Sequence, residues 1–481
     1  MKVQFAEKNI TVGKINDICS GEMYLCGVSE DSIVTGICTD SRESDECTLF
    51  AAIKGERTDG HDYILTCLKN GCPFALAERL PDITGYSKYA FVIVPSVLSA
   101  IEKLAKNLKE RANCYTVGVT GSVGKTTTKE FISAVLNERF RTFKTEGNHN
   151  SVIGMPLSVM GMPAETDAAV LEMGMSGFGE IASMSRAARP DAAVITTIGT
   201  SHMEMLGSRE NICLAKMEIA EGLADDGVLI LNGDEPLLLN ADKKGHRVLY
   251  VGTENRDADI RALNIRMEIG KTTFDLLSEG KIYSNIELPV MGAHNVYAAL
   301  FAFAVGKELN MDTESIRRGL MNFKNAQMRQ NIYELCGITV IEDCYNASPE
   351  SMRSAIDVMN ELSLRREKAR MVALLGDMLE LGDNSPELHR NVGEYLAKSG
   401  CSVLFTYGER AKDIALAAIE HGMKPENVYV NPKANTPEAM GDMMLHAIRE
   451  NDILLVKASR SMAAEKVIAY LKENMESKMS K

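Results

Sequence analysis

The sequence has no apolar run near the ~18 residues that a membrane-spanning helix needs. Its opening residues, Met1-Lys2-Val3-Gln4-Phe5, lack the apolar stretch of a secretory signal. Both absences lead to the expectation of a cytoplasmic protein with no membrane span. C-x-x-C spacing is missing as well, although there are 11 cysteines. An odd count without that spacing reads as reduced thiols, not a disulfide framework. Positive charge is in deficit: 53 Lys and Arg face 66 Asp and Glu, for a net charge of −13. That balance disfavours non-specific adhesion to nucleic acid, and no nucleic-acid partner is expected. Tryptophan is absent, and the 27 methionines read as core filler. Internal repeats and low-complexity tracts are absent too. What remains is 45% hydrophobic and long enough for about three domains.

The most informative segment present is Thr120-Gly121-Ser122-Val123-Gly124-Lys125-Thr126-Thr127. An apolar strand-like run, residues 115–119, precedes it, and a helix-like run, 127–136, follows. Strand, glycine loop, Lys-Thr and helix is a layout that cradles a nucleoside triphosphate. Glycines let backbone N–H groups close on phosphates, and the helix N-terminus adds partial positive charge. Lys125 would reach the β- and γ-phosphates, and the Thr126 hydroxyl would bind Mg²⁺. The longer G-x-x-x-x-G-K-[ST] form is not met, because Val119 stands at its first position.

The chain divides by rhythm. Residues 1–112 mix short alternating runs with turns, including a strand at 49–53 and a helix at 96–111. Residues 113–326 alternate strands (168–173, 192–197, 228–231) with helices, which implies a parallel sheet covered on both faces. Residues 322–327 read as a linker. Residues 327–481 restart the alternation, with strands at 339–342, 371–375, 403–407 and 453–457. The expected class is α/β in three domains. A small N-terminal α/β domain precedes a central P-loop ATPase-like parallel sheet and a C-terminal Rossmann-like domain.

Three residues beyond the P-loop could ligate metal or phosphate. Glu172 ends an apolar strand, where ligands of parallel sheets bind, and a carboxylate there suits Mg²⁺. His202 holds the equivalent place after residues 193–198. Each also reads as an ordinary strand-end polar residue. Lys216 falls within the apolar stripe Ile212, Ala215, Ile219 and Leu223 of a helix expected over 208–223. A buried amine is expensive unless paired or neutralised. Its stem packing with a snorkelling amine is one account. A modified lysine carrying negative charge is the other. Polar loops also leave strands at Asp343-Cys344-Tyr345-Asn346-Ala347-Ser348-Pro349-Glu350 and Gly376-Asp377-Met378-Leu379-Glu380-Leu381-Gly382. Others are Thr145-Glu146-Gly147-Asn148-His149-Asn150-Ser151 and Lys457-Ala458-Ser459-Arg460-Ser461.

Together with Glu172-Met173-Gly174-Met175 and Thr39-Asp40-Ser41-Arg42, these segments resemble the Mur ligase family of ATP-dependent amide-forming enzymes over nearly the whole chain. The resemblance is to the branch that joins D-alanyl-D-alanine to a UDP-muramoyl tripeptide. It implies a monomer whose first domain holds the uridine nucleotide near Ser41, Arg42 and Gly55. It implies ATP on the P-loop, Thr120 to Thr127, with Asn295 at adenine and Arg329 and Asp343 at phosphate and ribose. Thr126 and Glu172 would hold one Mg²⁺, and His202 with a carbamylated Lys216 would serve a second. Lys125, His202, Lys216 and Arg329 would carry catalysis. Asn148, Asn150, Ser176, Asn346, Ala347, Ser348 and Asp377 would meet the substrates. Met328 stands before Arg329 where the family often has glycine. Two other readings stay open on the residues alone. One is a family member adding a single amino acid, or glutamate to a folate. The other is a P-loop switch or transport ATPase without amide chemistry.

Overall fold

The computed structural model describes residues 1–55, 57–366, 369–430 and 436–479. They form three sheets, each covered by helices. The first has six strands, in the order Lys2–Gln4, Gly36–Cys38, Thr48–Ala51, Phe74–Ala77, Tyr89–Ile93, Glu22–Cys26. Its four middle strands are parallel and both edges antiparallel. The helix Val97–Ala112 closes this unit. Ser96 caps it by accepting from the Ser99 amide, and Asn113 ends it in a left-handed turn. Val97, Ile101, Leu104 and Leu108 form its buried stripe.

The second sheet has nine strands. Its inner order is Arg247–Gly252, Val228–Asn232, Ala192–Ile195, Tyr115–Thr120, Ala168–Glu172, Thr142–Lys144, all parallel. Tyr115–Thr120 lies between a strand reached forward on one side and one on the other. It is therefore the topological switch point, where a crevice opens beyond the strand ends. The P-loop leaves from this strand.

The parallel sheet implied by the alternation needs one correction at its edge. Ile260–Glu268 joins in parallel, but Lys271–Ser278 and Lys281–Leu288 extend the edge antiparallel. The cause is local turn chemistry. Glu279 and Gly280 have φ of 52° and 72°, the two-residue turn that reverses a strand tightly. A second correction concerns the helix expected over 208–223. Ser208 caps it, accepting from the Asn211 amide, but the α-helix is Arg209–Met217 and tightens to a 3₁₀ turn over Glu218–Glu221.

The third sheet runs Asn331–Leu335, Ile338–Asp343, Ile453–Lys457, Met371–Gly376, Val403–Tyr407, Val428–Tyr429. Only its first pair is antiparallel. The helix His294–Glu308 is buried on most of its surface, and it packs on the P-loop helix Lys125–Leu136. Residues 322–327 do join the second and third sheets. They are pinned where Phe323 stacks on Phe131, ring centroids 3.7 Å apart.

Candidate active site

The P-loop is held open by its neighbours. Gly121 and Gly124 have φ of 145° and 85°, and a Cβ on Gly121 would lie 1.9 Å from Thr196 Oγ1. Only glycine fits there. Thr196 Oγ1 donates to Val123 O at 2.6 Å, the Ser122 amide donates to Thr197 O at 2.8 Å, and Thr120 Oγ1 donates to Met173 O at 2.8 Å. The helix begins at Lys125, two residues earlier than its apolar pattern implies, so its first turn points into the crevice. Lys125 Nζ curls back to donate to Gly121 O at 2.8 Å and Ser122 O at 3.4 Å. Burial pushes this amine below the usual lysine range, Glu172 opposes that, and the Arg329 guanidinium adds to it.

Glu172 is 2% exposed at the end of its strand. Its Oε2 accepts from Thr126 Oγ1 at 2.9 Å, and its Oε1 accepts from Asn150 Nδ2 at 2.9 Å. Lys129 Nζ lies 3.5 Å from Oε2 and donates to Thr145 O at 2.8 Å. A hydroxyl beside a carboxylate at a P-loop is a hard-oxygen set suited to Mg²⁺. Lys216, in the last turn of its helix, is 1% exposed, and its amine makes no hydrogen bond or ion pair among the described residues. Burial drives its amine well below the usual lysine range, with nearby Lys125 adding to the effect.

A cleft with a volume of about 120 Å³ lies between the second and third sheets. Lys125 and Thr126 line it on one side, and Arg329, Asp343, Asn346, Ala347 and Ser348 line it on the other, with Asn295 between. Arg329 rests over the Tyr345 ring, 4.2 Å from its centroid. Lys457 Nζ pairs with Asp343 Oδ2 at 2.5 Å and donates to Asn346 O at 2.9 Å, which fixes the loop after Ile338–Asp343. Across the cleft, Glu350 Oε1 accepts from the Thr200 amide at 2.9 Å and from its hydroxyl at 3.0 Å.

Three regions match domains of one known family. Residues 33–114 match the Mur ligase family catalytic domain, 119–306 the Mur ligase middle domain, and 328–460 the Mur ligase glutamate ligase domain. The UDP-N-acetylmuramoyl-tripeptide–D-alanyl-D-alanine ligase of Bacillus subtilis is 39% identical over 92% of this chain and 94% of its own. The chain belongs to the Mur ligase family. The ligase of the same name from Escherichia coli is 31% identical over 97% of this Mur ligase and 99% of its own length. A MurF crystal structure from Acinetobacter baumannii superposes with a TM-score of 0.86, at 29% identity, covering 98% of this chain and 100% of that one. The MurF ligase of Thermotoga maritima in complex with ADP gives a TM-score of 0.81 at 28% identity, over 93% and 99%.

Several residues assigned from sequence make contacts of their own within this Mur ligase. His202 has φ of 65°, and its Nδ1 lies 2.7 Å from Glu380 Oε2, so its ring faces the third sheet's loop. Asp377 Oδ1 accepts from the Arg410 and Ala411 amides at 3.0 and 2.7 Å. Ser348 lines the cleft, but its hydroxyl caps the helix Pro349–Ser363. Asn346 Oδ1 accepts from the Ala347 amide at 2.8 Å. Ser41, Arg42 and Gly55 sit on the first sheet's loops, outside the cleft. Arg42 pairs with Asp40 at 2.6 Å and has a side chain 86% exposed. The Asn148 carbonyl accepts from the Asn150 amide, and the Ser176 amide donates to Glu180 Oε2 at 3.1 Å. Sequence reasoning missed Lys129, Gln330, Glu350 and the pairing of Lys457 with Asp343. Only Lys129 had a local signal: four residues after Lys125, it falls on the same helix face.

Proposed function

We propose that this Mur ligase adds D-alanyl-D-alanine to UDP-N-acetylmuramoyl tripeptide at the expense of ATP, in peptidoglycan precursor synthesis. The observation that carries the reading is the single cleft that sets a P-loop opposite Arg329 and the loop 343–348. Similarity at 39% identity to a ligase of that name supports the substrate pair.

Residues 1–112 bind the uridine nucleotide, with Ser41, Arg42, Gly55 and Ser176 toward that substrate. Residues 113–326 bind ATP, and residues 327–481 receive the amine through Asn346, Ala347 and Ser348. A carboxylate oxygen of the tripeptide attacks the γ-phosphorus. The bond to the β-phosphate oxygen breaks, and ADP leaves. The amine nitrogen then attacks the acyl carbon, phosphate departs, and the amine's proton passes to solvent. Lys125 and Arg329 offset the repulsion between carboxylate and γ-phosphate. Glu350 and Thr200 hold the two walls together, which excludes water from the acyl phosphate.

Thr126 and Glu172 fit one Mg²⁺, which when bound neutralises phosphate charge. A second cation would draw on His202 and Lys216. The observation in favour of a carbamate is the buried, unpaired Lys216 amine close to Lys125. A neutral amine adds to CO₂, forming an N–C bond and releasing a proton. That places an anion where a neutral amine stood. The enzyme acts as a monomer in the cytoplasm, in keeping with its 11 free cysteines.

The test is coupled ADP release with the UDP-tripeptide fixed and the amine varied. Sustained release is expected only with both partners present. D-alanyl-D-alanine should exceed D-alanine by up to roughly 10⁴, because a site built for the distant carboxylate leaves groups unpaired with a shorter amine. It should also be used far better than L-alanyl-L-alanine, whose methyl groups would point into the loop wall. Comparable rates with D-glutamate, L-lysine or diaminopimelate overturn the assignment.

A further inference from the structure

Lys129 lies one turn beyond Lys125 on the helix Lys125–Leu136, and it is 1% exposed. Its ammonium is fixed in place, because Nζ donates to Thr145 O at 2.8 Å. Two carboxylates flank it, Glu130 Oε1 at 3.4 Å and Glu172 Oε2 at 3.5 Å. Glu130 is already engaged, because Lys144 Nζ donates to its Oε2. Glu172 has no other ion-pair partner among the described residues.

The loop that holds Lys129 is itself tied to Glu172. Thr145 Oγ1 accepts from the Glu172 amide at 3.0 Å, and the Thr145 amide donates to Val170 O at 3.1 Å. Asn150 closes the same loop, its carbonyl accepting from the Gly174 amide at 2.7 Å. Each oxygen of the Glu172 carboxylate also has a neutral donor, Thr126 Oγ1 on Oε2 and Asn150 Nδ2 on Oε1. Those donors are enough to orient the carboxylate. Lys129 adds what orientation does not require, a full positive charge shielded from water and 3.5 Å from the oxygen that faces Thr126. A second cation brought to that oxygen meets strong repulsion, because little water stands between the charges.

We propose that Lys129 is the resident counter-ion of Glu172 and makes divalent-cation binding at Thr126 and Glu172 conditional on nucleotide. In the empty site the carboxylate is already neutralised, so a bare cation gains little attraction and meets the charge of Lys129. Phosphates on the P-loop add the negative charge that tips the balance. The cation then arrives with the nucleotide and leaves with it. The inference rests on the reading of Thr126 and Glu172 as a Mg²⁺ site, and it goes beyond that reading by naming what keeps the site weak when phosphate is absent.

The experiment titrates Mn²⁺, a Mg²⁺ probe read by electron paramagnetic resonance, into the full chain with and without ADP. Without nucleotide, Lys129→Met should bind Mn²⁺ about tenfold more tightly than the native protein, because the repelling charge is gone. Lys129→Arg keeps the charge and should stay within about threefold of native. Melting curves check folding, and the shorter neutral variant Lys129→Gln carries the same expectation if Lys129→Met does not fold. Affinity unchanged in the folded neutral variant overturns the proposal. So does equal tightening in Lys129→Arg, which would mean that packing and not charge sets the affinity. With ADP, the native protein should hold Mn²⁺ in a ternary complex. A missing ternary complex overturns the metal reading of Thr126 and Glu172, and this proposal with it. A normal one beside unchanged neutral variants overturns this proposal alone.

Discussion

Replacing Lys129 by methionine should destabilise the central sheet without touching any atom that meets nucleotide. Lys129 is 1% exposed on the P-loop helix. Its Nζ holds Thr145 O at 2.8 Å and stands 3.5 Å from Glu172 Oε2 and 3.4 Å from Glu130 Oε1. Methionine keeps most of the stem but removes the cation. Glu172 is then left buried against only the Thr126 hydroxyl and the Asn150 amide. Breaking a buried pair costs about 3–5 kcal/mol. The 3.5 Å separation and the sharing with Glu130 argue for the lower end, about 3 kcal/mol. For a unit of roughly 200 residues, each kcal/mol lowers Tm by about 2–4 °C, so a fall of about 6–12 °C is expected. The assay is calorimetric melting, with and without Mg²⁺ and ADP. Cation and nucleotide should restore part of the loss, because a bound Mg²⁺ supplies Glu172 with positive charge again. Adding Glu172→Gln to Lys129→Met should recover at least half of the stability, because the uncompensated charge is gone. A fall of less than about 2 °C, or strict additivity in the double variant, would refute the reasoning.

Lys125→Ala should abolish ADP formation, a loss of at least about 10³-fold, while the melting temperature stays near native. Its amine contacts only loop carbonyls, not core, and near-normal turnover would mean that this loop is not the ATP site. Lys216→Ala should be nearly inactive, with partial rescue by acetate or formate. Electron density for a bare amine far from any metal in a nucleotide-bound crystal would sink the carbamate.

Local pattern was enough to read the P-loop, because its chemistry is contiguous: strand, glycines, Lys125, Thr126 and helix lie within one stretch of backbone. The same holds for the α/β rhythm and for Ser208 as a helix cap, which depends on a neighbour three residues away. Two-residue turns escaped notice at Glu279-Gly280, and with them the antiparallel edge. Partnerships across the fold were not legible. Asp343 and Lys457 are 114 residues apart in the chain, and Thr200 and Glu350 are 150 apart. Asp377 looks available in sequence, yet tertiary packing sets its Oδ1 against the Arg410 and Ala411 amides. His202 could be named but not aimed, because its partner Glu380 comes from a loop of the third sheet, far away in the chain. The sequence by itself determined which backbone could cradle phosphate. Only the tertiary structure decided which polar atoms remain free to meet a ligand, because hydrogen-bond capacity is finite and distant residues compete for it.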